Sequence, residues 1–407
     1  MRHPPEIKEL PRFPVTGGTI LLAIGVTLAY WGHKLDVAPL LEDANVRRWQ
    51  LWRLVTSALP HGSVYHLAFN AYWIWVFGTL VEKIIGHLRT LAIFLLLAAG
   101  SGAAEYGILT GGIGLSGVGY GLFGMLWVLS KRDERFADAV DQNTTALFVL
   151  WFFICIGLDL SGVMPIANVA HGVGALLGVL IGYAIAGRAG ARARAVTALA
   201  ILCTASLACA TVARPWVNLA RDGGAGEIQL GIDAIRAGRN REAVRWLTDA
   251  TRIEPRNAIA WYDLGVALGD AGRDVESIAA YAKAHDLSPA DAGYEYAHAT
   301  AAGYHALNQR RDAQAERWFD KATRLKPDQA SAWYDLGIAC ERQEKWSQAT
   351  DAFQHAVQLE PTNTDYGRAL AEALSNSKGG ALSNLLKQLG GDDNPRPNPT
   401  SQPAAPK

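Results

Sequence analysis

Residues 114–124 read Gly114-Leu115-Ser116-Gly117-Val118-Gly119-Tyr120-Gly121-Leu122-Phe123-Gly124, a glycine-rich entry into an apolar stretch. A second apolar stretch later in the chain contains His171. A hydroxyl and an imidazole are both costly in hydrocarbon unless paired or hydrated, so reactive residues there are functional suspects. A serine alone means little, because in membrane helices it is a common small packing residue that satisfies itself on a backbone carbonyl. What Ser116 does turns on where His171, His66 and Asn70 fall once the topology is worked out.

Working outward, residues 17 to 216 form a series of apolar segments broken by short charged loops. Seven segments approach the length a bilayer core requires, at roughly 17–34, 64–83, 89–109, 115–131, 144–162, 166–187 and 195–213. The first follows Arg2, His3, Lys8 and Arg12, as a signal peptide would, but no small-residue cleavage site comes after it. It reads as an anchor. Basic residues gather before span one, from Lys83 to Arg89, from Lys131 to Arg135, and at Arg188, Arg192 and Arg194. The connections between spans three and four and between five and six carry no Lys or Arg. The positive-inside rule therefore makes the N-terminus cytoplasmic. The loop between spans one and two is the exception, with Lys34, Arg47, Arg48 and Arg53, but a loop that long weighs less in the rule. Seven spans put everything after Arg214 outside the cytoplasm, provided the seventh is real.

Under this topology even-numbered spans run from outside to inside. His66 and Asn70 lie in the first two turns of span two, and Ser116 opens span four. His171 sits about one turn into span six, roughly 7 Å deep at 1.5 Å per residue. Four polar residues far apart in sequence thus reach one shallow layer, and His66 and Asn70 share a helical face. This arrangement suits nucleophilic acyl transfer. A serine hydroxyl needs an adjacent base, which a neutral His171 supplies. The developing oxyanion needs preorganised donors, for which the His66 ring, the Asn70 amide and the Ser116 backbone N–H are suited. The reading finds no acidic residue at the depth of His171, and so favours a dyad.

The motifs carrying this layer are Trp52-Arg53, His61 with His66 and Asn70, Gly78 with Glu82 and Gly86, Gly114-Leu115-Ser116-Gly117 with Tyr120, and Ala170-His171 with Gly174. In this order, over about residues 50–187, they resemble the rhomboid intramembrane serine proteases. The resemblance implies a six-helix core with Ser116 as nucleophile and His171 as general base. It also implies an oxyanion site at His66 and Asn70, with Tyr120 stacking on His171. Gly114, Gly117 and Gly174 support the site, while Gly121 and Gly124 extend the small face between spans four and six. No metal or other cofactor is implied. His61 reads as structural, bonded to loop backbone or water. Glu82, at the cytoplasmic end of span two, reads as a tie between helix ends. Trp52 and Arg53 are open to two readings, an interfacial anchor or a specific loop lock.

The second half is different. Gly231, Gly265, Gly303 and Gly337 are followed, at one constant spacing, by Pro255, Pro289, Pro327 and Pro361. The first and last periods between these glycines are equal, and a short insertion lengthens the middle one. Leu247, Tyr281, Phe319 and Phe353 recur at one offset, and Trp-Tyr-Asp-Leu-Gly begins at Trp261 and at Trp333. The pattern resembles the tetratricopeptide repeat, in which Gly and Ala let paired helices approach, an aromatic fills the gap and Pro stops the second helix. Four repeats are expected over about 224–363, with a capping helix at 364–376. Such arrays bind peptides or proteins in a concave groove.

The expected fold is therefore all-α: a polytopic membrane bundle, six helices of the rhomboid kind plus one more, then an α-solenoid. The expected boundaries are a cytoplasmic segment 1–16, a membrane domain 17–187, a seventh span and linker 188–221, a repeat domain 222–377 and a disordered tail 378–407. Neutral overall charge gives no electrostatic case for nucleic acid as a partner, and the spacing of the four cysteines suits neither a metal nor a disulfide framework. The function expected is cleavage of transmembrane protein substrates near the outer leaflet of a bilayer, in a bacterial plasma membrane. The repeats would recruit substrate or an adaptor through a peptide or protein ligand. The alternative is a catalytically silent membrane adaptor that binds transmembrane helices and scaffolds partners. A soluble esterase with a nucleophile elbow fails, because Ser116 lies in no alternating α/β pattern.

Overall fold

The computed structural model describes residues 4–220 and 223–388, and among these the chain is helical with no strand. It forms two compact units, Met1–Pro255 and Arg256–Lys407. The first holds α1 (Pro14–Trp31), α2 (Arg53–Thr56), α3 (Val64–Ile85), α4 (His87–Ile108), α5 (Ser116–Leu129), α6 (Gln142–Leu160), α7 (Asn168–Ala186), α8 (Ala189–Ala210), α9 (Arg214–Val217), α10 (Ala225–Arg236) and α11 (Asn240–Ile253).

Each of the seven expected spans falls on one of these helices. Six of them, α1, α3, α4, α6, α7 and α8, are long and apolar enough to cross a membrane, and α5 is shorter. At 14 residues α5 is about 21 Å long, less than a hydrocarbon core. It is buried along nearly its whole length against α3, α4 and α7. Protein rather than lipid surrounds it, and the half-buried turn of residues 111–114 leads into it from the end of the bundle. Helix α6 is the opposite case. Its Leu147, Leu150, Phe153 and Ile154 are exposed, as a lipid-facing surface requires.

Local signals set the ends. Ser63 caps α3 by accepting from the His66 N–H at 3.2 Å, and Asp141 caps α6 by accepting from the Thr144 N–H at 2.7 Å. Gly86, at φ +91°, turns α3 directly into α4. The Glu82 carboxylate accepts from the N–H groups of Val15 and Thr16, at 2.9 and 2.8 Å, and meets His87 Nδ1 at 2.6 Å. It thereby ties the first turn of α1 to the α3–α4 junction.

Gly107, near the end of α4, lies against Cys209 and Ala210 at the end of α8, so these two helices finish at the same end of the bundle. That is also the end where α5 begins. From there the chain enters α9, after which the Leu219 N–H donates to the Ile108 carbonyl at 2.7 Å, and continues into α10 and α11.

The second unit contains α12 (Ala258–Asp270), α13 (Asp274–Leu287), α14 (Ala292–Asn308), α15 (Asp312–Leu325), α16 (Ala330–Glu341), α17 (Trp346–Leu359) and α18 (Thr364–Gln388). Each helix pair closes on one glycine and one ring: Gly265 on Tyr281, Gly303 on Phe319, Gly337 on Phe353. In α10 and α11 the same place is taken by Gly231 and Leu247. The insertion that lengthens one period extends α14 to 17 residues, against 13 in α12 and 12 in α16. Helix α18 runs to Gln388, past the 364–376 expected for the cap. Of the tail 378–407 expected to be disordered, residues 378–388 belong to α18, and the rest lies outside the described residues.

Candidate active site

Gly114 adopts φ +101°, a conformation that favours glycine, and the chain turns there into α5 with Ser116 as its first residue. His171 is the fourth residue of α7. The two helices touch backbone to backbone. A methyl group on Gly174 would collide with the Gly117 carbonyl, one on Gly178 with the Gly121 carbonyl, and one on Gly124 with the Ala175 carbonyl. This contact brings Ser116 Oγ to 2.8 Å from His171 Nε2. The Tyr120 ring stacks on the imidazole with centroids 4.7 Å apart and planes at 25°, and its hydroxyl donates to the Phe148 carbonyl at 3.3 Å. His171 Nδ1 is buried and meets no hydrogen-bond acceptor.

From α3, His66 and Asn70 reach the same place. A side chain at Gly114 would run into the His66 ring and come within 3.3 Å of Asn70 Nδ2. That amide nitrogen is buried with no acceptor of its own. A buried donor without a partner is costly, which makes it suited to an oxygen arriving from outside. Gly117 in turn has no room for a side chain against Ser101. All four members of the expected layer, with Tyr120, Gly114, Gly117 and Gly174, therefore converge on one point.

His61 is fully buried behind them. Burial pushes its imidazole down to about 4, so it is neutral, with Nδ1 at 2.9 Å from the Leu59 carbonyl and Nε2 accepting from the Leu115 N–H at 3.4 Å. It fixes the peptide that precedes Ser116. The two residues left open in the sequence part ways here. Arg53 is buried and donates to Ala38 O, Leu41 O, Gln50 and Asp43, locking the first loop, whereas Trp52 is exposed.

Two carboxylates that the sequence reading did not single out complete the site. Glu105, near the end of α4, accepts from the Ala170 N–H at 2.9 Å, next to His171. An acid therefore does reach this depth, contrary to expectation, but it holds backbone and leaves the imidazole alone. A lone carboxylate inside an apolar span was a signal that could have flagged it. Glu42, in the first loop, accepts from Ser57 Oγ at 2.9 Å and from the Gly112 N–H at 3.2 Å. No local pattern marks Glu42. Between the two carboxylates a cavity of about 20 Å³ is lined by Ser57, Ser101, Gly112 and Ser116. It has space for about one water.

Burial pushes the Glu42 carboxyl up to about 8 from an ordinary 4.5. An acid raised on folding contributes stability that is full below its unfolded value and lost as pH rises through the folded one. The melting temperature in detergent should therefore fall between about pH 5 and pH 8, and Glu42→Gln should flatten that fall. Parallel melting curves for the two proteins across this range would count against a neutral Glu42.

In the second unit, a groove of about 520 Å³ is lined by Tyr262, Tyr294, Tyr296, Tyr304, Asp274 and Asp291, among others. Tyr304 donates to Asp335 at 2.5 Å, and burial pushes that carboxyl up to about 7.

Residues 48–188 match the family model described as Rhomboid domain, and residues 228–292 and 330–363 match models described as Tetratricopeptide repeat. The chain is 33% identical over 167 residues to a protein of Pectobacterium atrosepticum named Rhomboid protease GlpG, covering 40% of this chain and 59% of that one. A protein of the same name from Enterobacter sp. is 36% identical over 140 residues, covering 34% and 49%. The chain thus spans about half the length of these relatives. Among solved structures, a MamA fragment from Desulfovibrio magneticus RS-1 is 21% identical over 41% of this chain and 96% of that one, with a TM-score of 0.34. The chain carries a rhomboid-family membrane domain followed by C-terminal tetratricopeptide repeats.

Proposed function

We propose that this protein is an intramembrane serine endopeptidase that cleaves transmembrane segments of other membrane proteins. The observation that carries the reading is Ser116 Oγ at 2.8 Å from His171 Nε2, beside an Asn70 amide donor that has no acceptor. The Ser116 oxygen attacks the scissile carbonyl carbon while His171 Nε2 takes its proton. The carbonyl oxygen becomes an oxyanion against Asn70 Nδ2, the His66 ring and the Ser116 N–H. That N–H is one of the unpaired donors of the first turn of α5, where the helix dipole also favours negative charge. Collapse breaks the C–N bond, and the amine leaves with the proton held by His171. Water then hydrolyses the acyl-enzyme by the same relay, releasing Ser116. His171 works as half of a dyad, since its Nδ1 has no carboxylate partner.

A helical peptide bond is shielded by its own hydrogen bonds, so the preferred substrates carry Gly, Ala, Ser or Pro where the helix must unwind. The end of the bundle where α5 begins faces out of the cytoplasm, the N-terminus faces in, and the membrane is a bacterial plasma membrane. The repeats recruit substrate or an adaptor, a role for which the tyrosine-lined groove provides the surface. The test is purified protein in vesicles with a labelled single-pass substrate. Cleavage near the outward end of the substrate helix is expected, and a reporter fused after Ala220 should be active outside the cytoplasm. An intact substrate that nonetheless co-purifies with the protein would replace this reading with a silent adaptor.

A further inference from the structure

Within the first unit, α10 and α11 are joined to the bundle by a buried cluster of charges. Arg47, in the first loop, donates from Nη1 to Glu227 at 3.2 Å, from Nη2 to Asp249 at 2.6 Å and from Nε to the Thr211 carbonyl at 2.9 Å. Arg214, in α9, donates from Nε to the same Glu227 oxygen at 3.3 Å and from Nη2 to the Gly223 carbonyl at 2.8 Å. Its Nη1 donates to the carbonyls of Tyr106 and Leu109, the second at 2.7 Å. Its guanidinium also lies over the Tyr106 ring, 3.9 Å from the centroid, while Arg47 lies over Trp246. All four ionic residues are buried, Glu227 completely so.

Each arginine is anchored next to one of the two carboxylates that hold the reactive pair. Arg47 follows closely on Glu42 in the first loop, and Glu42 holds Gly112 in the turn leading to Ser116. Arg214 grips the last turn of α4 directly after Glu105, which holds Ala170 beside His171. Buried guanidinium groups stay in place only while their carboxylates do, because an unpaired buried charge is strongly disfavoured. Those carboxylates come from the first helix pair of the repeat half.

We infer that α10 and α11 are a fixed part of the reactive end of the membrane domain, and that Glu227 and Asp249 are positioning residues for Ser116 and His171. The inference rests on the protease reading above and adds that the chemistry depends on this pair even when no substrate is docked on the repeats. The test uses full-length protein in detergent carrying Glu227→Gln, Asp249→Asn or both, with Asp365→Asn, which removes an exposed ion pair to Arg368 in α18, as the comparison. A small fluorophosphonate reads the reactivity of Ser116 without docking, and hydrogen exchange reads residues 42–57 and 106–114 in a Ser116→Ala background.

The double variant should label roughly ten- to a hundredfold more slowly. Exchange should rise in both segments, while helical circular dichroism holds and Asp365→Asn labels like the parent. Should the neutral variants not fold, Glu227→Asp, which keeps the charge and shortens its reach, is read in the same way. Unchanged labelling and exchange in folded variants would overturn the inference. A parent protein that never labels, with exchange still raised in the variants, would instead remove the protease reading and leave the clamp standing.

Discussion

Ser116→Ala is expected to abolish cleavage of a single-pass substrate, by at least about 10⁴-fold, and His171→Ala to do nearly the same. Neither loss should add to the other, because the hydroxyl and the imidazole act as one unit through their 2.8 Å contact. Fluorophosphonate labelling should vanish in the serine variant and nearly so in the histidine variant. Asn70→Ala is a milder case. Removing one oxyanion donor lowers the rate by about 10²–10³-fold, and here the His66 ring and the Ser116 N–H remain. The serine variant is also the sharpest risk to the proposal. Substrate cut at the same bond by Ser116→Ala protein would end the dyad mechanism, whatever else the bundle does.

Gly178→Ala should disable the protein without touching any reacting atom. An added methyl group would collide with the Gly121 carbonyl and the Met125 backbone nitrogen. Both obstacles are helix backbone, so no side chain can swing away, and α5 and α7 must separate. Overpacking of this kind typically costs about 1–3 kcal/mol, and a rigid obstacle puts this site at the upper end. Function should suffer more than stability. Ser116 lies on one of the two helices and His171 on the other, so separating the helices lengthens their hydrogen bond, and a misplacement of about 1 Å can cost about a hundredfold in rate. Gly119→Ala, on the same α5, is the control, because nothing lies within 4 Å of the position its methyl group would take. It should melt at or above the parent temperature. A Gly178→Ala protein with parental melting and parental cleavage would show that the close approach of α5 and α7 is dispensable.

Much of this architecture was legible without coordinates. The spans follow from runs of apolar residues, since a bilayer demands length and composition above all. The expected depth of each residue grouped His66, Asn70, Ser116 and His171. The repeats were legible in the same way, because each glycine faces a ring at a constant separation and the packing of a solenoid is mostly local. Gly265 and Tyr281 stand as far apart in the sequence as Gly303 and Phe319 do.

The residues that were missed are those whose partners lie far away along the chain. Glu42 and Glu105 reach backbone N–H groups 70 and 65 residues away. Arg47 pairs with Glu227 and Asp249 at separations of 180 and 202 residues. In the sequence, Arg47 was only one more charge in a long loop that the positive-inside rule discounts. Composition changes near residue 222, whereas the chain packs as two compact units that part after Pro255. Hydropathy and periodicity report what each segment must bury, and they found the seven apolar helices and the repeat pairs. They carry no record of which buried charge will meet which. A carboxylate and a guanidinium satisfy each other only at about 3 Å, and packing of the whole unit alone sets that distance.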